Sequence, residues 1–182
     1  IRKAFLAREG NQLVEMDLAG AEVRVAYCYH QDPTMRTYLL DPDTDMHRDT
    51  AAELLMLDVE YLKQNKDWAK KTCRDWAKNR FVFPEFYGSV FFQCAPHIWE
   101  ALEETTPDGK PKYVLPDGRS FLEHLREKGI TALGACNPQA PAAPGTFENH
   151  VKKVEKIFWQ ERFPVYTEWK DRWLRNYQAK GY

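Results

Sequence analysis

Hydrophobic positions along the chain recur at two periods. Over 12–17 they alternate. Val14 and Met16 fall on one side of an extended backbone, and Leu13, Glu15 and Asp17 on the other, which predicts a short strand. After Gly20 the period lengthens, and Val23, Ala26 and Tyr27 form one stripe of a helix over 20–30. Asp32-Pro33 opens a second short helix, with proline in its first turn. Asp45 is placed to cap a helix through His47, Ala51, Leu54 and Leu55. Residues 67–82 read as a longer, cationic helix, and 89–104 as a further one. Two Pro-Asp-Gly turns then flank Lys112–Leu115, a pattern that predicts a hairpin over 106–118. A short helix follows over 119–128, a Pro/Ala/Gly-rich loop over 134–146, and helix again over 147–182, broken at Phe163-Pro164. The expected fold class is mainly α with a little β.

Composition adds limits. Hydrophobic residues make up 43% of the 182, and six are tryptophans, enough for a sizeable core. Formal net charge is −1, so no global basic field points to nucleic acid. The charge is uneven, however. Lys63, Lys66, Lys70, Lys71, Arg74, Lys78 and Arg80 crowd into 61–80 against Asp67 and Asp75, a local face suited to phosphate or simply to solvent. Cys28, Cys73, Cys94 and Cys136 form no Cys-x-x-Cys pair, which argues against zinc or a disulfide framework and suits a reducing, cytoplasmic compartment. No stretch reaches membrane-spanning length. The chain begins at Ile1 and ends at Gly181-Tyr182 as if both ends were cut from something longer.

Three groups carry candidate chemistry. Asp17, at the end of the expected strand, offers hard oxygen ligands to Mg²⁺ or serves as an ordinary turn aspartate. Arg74 and Lys78 stand at i and i+4, so a guanidinium fork and an ammonium point charge share one side of a helix and could take two phosphates of one triphosphate. His47 lies at a helix start. Two decoys fail. Asp41–Ala52 lacks the glycine and glutamate of a calcium loop, and His47-Arg48-Asp49 has no glycine-rich phosphate loop to accompany it.

Taken in order, these segments resemble the family A DNA polymerases, the bacterial polymerase I type and its phage relatives. Asp17–Arg24 resembles motif A, typically Asp-Tyr-Ser-Gln-Ile-Glu-Leu-Arg, and Ile1–Phe5 with Arg8–Gly10 matches its lead-in. Asp45–His47 followed by Thr50–Glu53 is similar to a helix of that family. Arg74–Lys78 resembles the start of motif B on the nucleotide-binding helix of the fingers, with Tyr87-Gly88 at its end. Phe163-Pro164, Trp169 and Gly181-Tyr182 keep the spacing of a later stretch. The resemblance implies a palm edge with motif A over 1–30, fingers over 31–102, an insertion over 103–146, and fingers helices returning to the palm over 147–182.

It also implies roles. Asp17, with the backbone carbonyl of Leu18, would hold two Mg²⁺ ions jointly with a second aspartate. Glu22 would exclude a 2′-hydroxyl. His47, Arg74 and Lys78 would grip the triphosphate of an incoming dNTP, Arg74 and Lys78 counting with Asp17 among the catalytic groups. Phe83 would pack at the incoming base, and Tyr87 on the template side. DNA primer-template is the expected partner, with no membrane.

Three departures qualify this picture. Leu18, Ala19 and Gly20 replace the polar residues after the motif A aspartate. Motif B carries one extra residue: the family's aromatic falls four after the lysine, here Val82, whereas counting back from Tyr87 gives Phe83. Pro84 has no amide to donate to the Arg80 carbonyl, so a π-bulge there could absorb the extra residue; Phe81 is the alternative aromatic. Motif C, with the second metal-binding aspartate, is absent, so the chain alone is expected to be inactive and to need a partner segment or chain that carries it. Two other readings remain: a non-catalytic helical nucleic-acid-binding module derived from the polymerase fold, and an unrelated helical interaction protein.

Overall fold

A computed structural model describes residues 6–14 and 20–181. Asp17, Leu18 and Ala19, the first three residues of motif A, lie outside the described residues. Residues 12–14 carry no regular structure; Val14 is 81% exposed, and among the described residues no strand lies beside it to supply a ladder. The strand expected there is therefore not formed over 12–14.

The rest is helix. Gly20 turns with φ 61° into α1 (Ala21–His30). Asp32 caps α2 (Pro33–Leu40), Asp45 caps α3 (Met46–Leu55), and Asp58 caps α4 (Val59–Gln64), a helix too short for its period to show in the sequence. The cationic helix, α5, runs through 66–86. It alternates α-helical stretches with two wide π turns, Lys70–Arg74 and Lys78–Val82. It ends in a Schellman motif, with the Ser89 amide donating to the Pro84 carbonyl and the Gly88 amide to Glu85, and Gly88 at φ 94°. Next come α6 (Phe91–Glu103) and α7 (Phe121–Glu127), the latter opened by a Ser120/Glu123 capping box. Helix α8 begins as Phe147–Lys156 and continues into a third π turn, Ile157–Arg162; α9 (Pro164–Ala179) follows the expected break.

The hairpin expected over 106–118 is instead two separate loops. Each Pro-Asp-Gly closes on itself, one through the Thr105–Pro111 bridge and the other through Val114–Ser120. Gly109 at φ 79° and Gly118 at φ 93° make both loops tight, so Lys112–Leu115 links two turns instead of forming a strand. With a single parallel bridge, Ala132 to Thr146, these are the isolated β contacts among the described residues.

Helix α5 lies in the middle of the core. Trp76, Ala77, Phe81 and Val82 point inward, and Phe81 meets Phe158 edge-on at 5.7 Å. Segment 103–146 braces the back of α5. The Trp68 indole donates to the Val114 carbonyl at 2.9 Å, and both Trp68 and Trp76 set ring edges against Phe121. Asp32 ties the two ends of the molecule together. Fully buried, it accepts from the Thr34 and Met35 amides through Oδ1 and from the Val165 and Tyr166 amides through Oδ2. One carboxylate thus satisfies the orphan donors of two helix starts, α2 and α9.

Candidate functional site

The second wide turn of α5 determines which side chains meet. In a regular helix Phe83, five positions after Lys78, would stand about 140° away from it. Here the Phe83 amide donates to the Lys78 carbonyl, closing an i to i−5 turn that absorbs the extra residue. Pro84, the next residue, has no amide to lose by the change. The ring of Phe83 comes beneath Lys78, with Nζ 4.9 Å from its centroid. Of the two aromatics left open by the sequence, Phe81 is buried in the core and Phe83 lies on the Lys78 side.

Helix α3 supplies the opposite wall. Asp45 Oδ1 accepts from the His47 and Arg48 amides, and Asp45 Oδ2 accepts from Arg74 Nε at 2.6 Å. The sequence marked Asp45 as a cap; its second task, holding Arg74, depends on a side chain 29 residues away. Burial pushes the Asp45 carboxyl up, but the Arg74 hydrogen bond and charge outweigh it and hold the group below its ordinary value. The His47 imidazole meets Phe83 edge to face at 6.1 Å. Burial, then the charge of Arg74, lowers its pKa to about 4; Lys78 adds to this and Asp45 opposes it. His47 is therefore a neutral imidazole at neutral pH, not a third cation.

His47, Arg74, Lys78 and Phe83 thus form one cluster: two fixed positive charges, a neutral imidazole and a ring beside them. Glu22 and Tyr87 meet separately, where Tyr87 Oη donates to Glu22 Oε1 at 3.5 Å and links the start of α1 to the end of α5. Tyr87 is 74% exposed. Asp17 and Leu18 lie outside the described residues.

The described part of the site does not suit a metal ion by itself. Its two carboxylates, Asp45 and Asp75, are both held by Arg74, and the remaining charged group, Lys78, is a cation. Among the described residues no group of three or more His, Cys, Asp or Glu side chains could hold a metal. No helix among them is long and apolar enough to cross a membrane.

Comparison with known proteins gives one partial similarity. The chain is 36% identical over 72 residues to DNA polymerase I of Deinococcus radiodurans. The match covers 40% of this chain and 7% of the length of that polymerase. No protein-family model matches the chain, and no solved structure matches it. The class defined by this similarity and the helical fold is a polymerase-related, mainly α-helical segment.

Proposed function

We propose that the chain is part of a template-directed DNA polymerase of family A, and that it binds the incoming dNTP. In this reading Arg74 and Lys78 hold the triphosphate, and neutral His47 donates one further hydrogen bond to it. Phe83 packs against the base or sugar, and Tyr87 borders the template. Glu22, held by Tyr87, leaves no room for a 2′-hydroxyl. Asp17 and the Leu18 carbonyl are the metal ligands of this chain. When bound, two Mg²⁺ ions would activate the primer 3′-hydroxyl and stabilise the pyrophosphate leaving group. The second aspartate comes from another segment or chain, and primer-template DNA lies between the two.

The observation that carries this reading is the wide turn Lys78–Val82, which brings Phe83 to Lys78 despite the extra residue in the motif. A regular helix would have separated the ring from the cations. In this reading the donors stand where negative charge grows during transfer, usually the largest single contribution a protein makes to such chemistry.

Calorimetric titration of the 182-residue chain with Mg²⁺-dNTP tests the proposal. The wild-type chain should bind, and Lys78→Ala should weaken binding by about tenfold or more, a loss of about 1.4 kcal/mol or more. Equal binding by both chains would contradict it.

A further inference from the structure

A second cationic cavity, of about 680 Å³, lies beside the site described above. Arg48 of α3, Lys63 of α4, and Lys66, Lys70 and Arg74 of α5 line it, with Asp43 and Asp45 as its acidic members. Only Arg74 also belongs to the His47–Lys78–Phe83 cluster.

The spacing of its cations is not incidental to the helix. Lys66, Lys70, Arg74 and Lys78 stand four residues apart. In a regular α-helix each such step drifts about 40°, and three would carry the row about 120° around the axis. The wide turn Lys70–Arg74 holds more residues than a regular turn and opposes that drift. Lys66, Lys70 and Arg74 consequently share one wall of the cavity.

Their charges are unequally neutralised. Arg74 is paired with Asp45 at 2.6 Å and Asp75 at 3.1 Å, Arg48 with Asp49 at 3.0 Å, and Lys63 with Glu60 at 2.6 Å. Lys66 and Lys70 are exposed, and among the described residues neither enters an ion pair. Three of the five cations are thus offset by carboxylates, which leaves Lys66 and Lys70 against Asp43 as the unpaired charges of the lining, a small positive excess on a concave surface whose walls focus its attraction for multivalent anions. The apolar part of the lining is Pro42, Leu62 and Ala69, without an aromatic ring. A single-stranded nucleic acid track would be expected to offer rings for its bases to stack on. The cavity suits phosphate groups without bases.

We propose that this cavity is a second anion site, which takes a compact oligophosphate of the pyrophosphate or tripolyphosphate kind, with Lys66 and Lys70 as its principal contacts. Two sources share this chemistry: free inorganic pyrophosphate and the tail of a nucleotide. The inference goes beyond the dNTP reading and stands or falls separately from it.

The test is calorimetric titration of the full chain with inorganic pyrophosphate, inorganic tripolyphosphate and dNTP, all without divalent metal. The background is Lys78→Ala, which weakens the first site, and circular dichroism checks the fold of every variant. Pyrophosphate and tripolyphosphate should still bind. The added pair Lys66→Gln and Lys70→Gln, both at exposed positions, should weaken them about tenfold or more. If dNTP competes with pyrophosphate for the cavity, the nucleotide tail is a source; if it does not, the site takes the free anion. Loss of all pyrophosphate binding in Lys78→Ala alone would overturn the inference and leave the dNTP reading intact. Binding unaffected by the lysine pair would overturn it too, as would a thymidine oligonucleotide that displaces pyrophosphate from the cavity. Unchanged dNTP binding in Lys78→Ala, with pyrophosphate still sensitive to Lys66 and Lys70, would contradict the dNTP reading and leave the cavity standing.

Discussion

Phe81 and Phe83 stand two positions apart on α5 in different surroundings. Phe81 is fully buried against Phe158, whereas Phe83 lies at the margin between His47 and Lys78. Phe81→Ala should cost about 3–5 kcal/mol in urea unfolding, the range for emptying a buried aromatic site. Phe83→Ala should cost about 1 kcal/mol, mainly its cation–π and edge contacts, yet weaken dNTP binding. The reverse pattern would make Phe81 the functional ring. His47 gives a second prediction at this scale. Its native pKa of about 4 lies below the ordinary value near 6.5. Between those values the unfolded chain holds a proton that the native state does not. The stability drawn from His47 is therefore complete above about pH 6.5 and lost as the pH falls towards 4. Urea unfolding of His47→Asn should be less sensitive to pH over that window than that of the wild type. A triphosphate beside the ring should raise its NMR titration midpoint, because the anion offsets the repulsion from Arg74 and Lys78.

At the scale of elements, α5 shows what the sequence revealed and what it did not. The turn Lys78–Val82 was legible because two independent signals coincided: one residue too many between Lys78 and Tyr87, and a proline placed where a missing amide does least harm. The turns Lys70–Arg74 and Ile157–Arg162 had no such marker, since π turns use the same residues as α-helix. Helix α4 escaped notice because six residues show too little of a helical period, and the expected hairpin failed because each Pro-Asp-Gly closed its own loop. The last turn of α5 also carries a buried carboxyl. Glu85 receives hydrogen bonds from the Trp159 indole at 2.7 Å and the Cys94 thiol at 3.6 Å. Burial raises its pKa well above the usual carboxylate range, the Trp159 hydrogen bond opposes this, and the Glu155 carboxylate adds to it. The native state then holds a proton that the unfolded chain has released once the pH passes about 4.3. The stability drawn from this group is complete below that value and lost as the pH rises through the elevated one. Glu85→Gln, which keeps the shape and cannot ionise, should be more stable than wild type by at least about 1 kcal/mol at pH 8, and should show no such gain at pH 4.5. Equal stability of the two chains at pH 8 would show that Glu85 is not held protonated.

Across the whole molecule, the helices other than α4 and their order were readable from period and caps, while the contacts that assemble them were not. Asp32 read as the cap of one helix; that it also caps α9 depends on residues more than 130 positions away. The same holds for Asp45 and Arg74, and for segment 103–146, which read as an insertion and braces the back of α5. The candidate site draws on α3 and on two turns of α5, so it exists only when the molecule is assembled. Its central claim is that a dNTP lies with its triphosphate on Arg74 and Lys78 and its base or sugar on Phe83. The most direct measurement is an NMR titration of the isotopically labelled chain with Mg²⁺-dNTP, followed at the side chains of His47, Arg74, Lys78 and Phe83. The account predicts that these four resonances shift together, along one saturation curve, and that the Phe83 ring does not respond to inorganic tripolyphosphate, which has no base or sugar. Shifts confined to α6 or to 103–146, or a Phe83 ring that responds equally to tripolyphosphate, would contradict it.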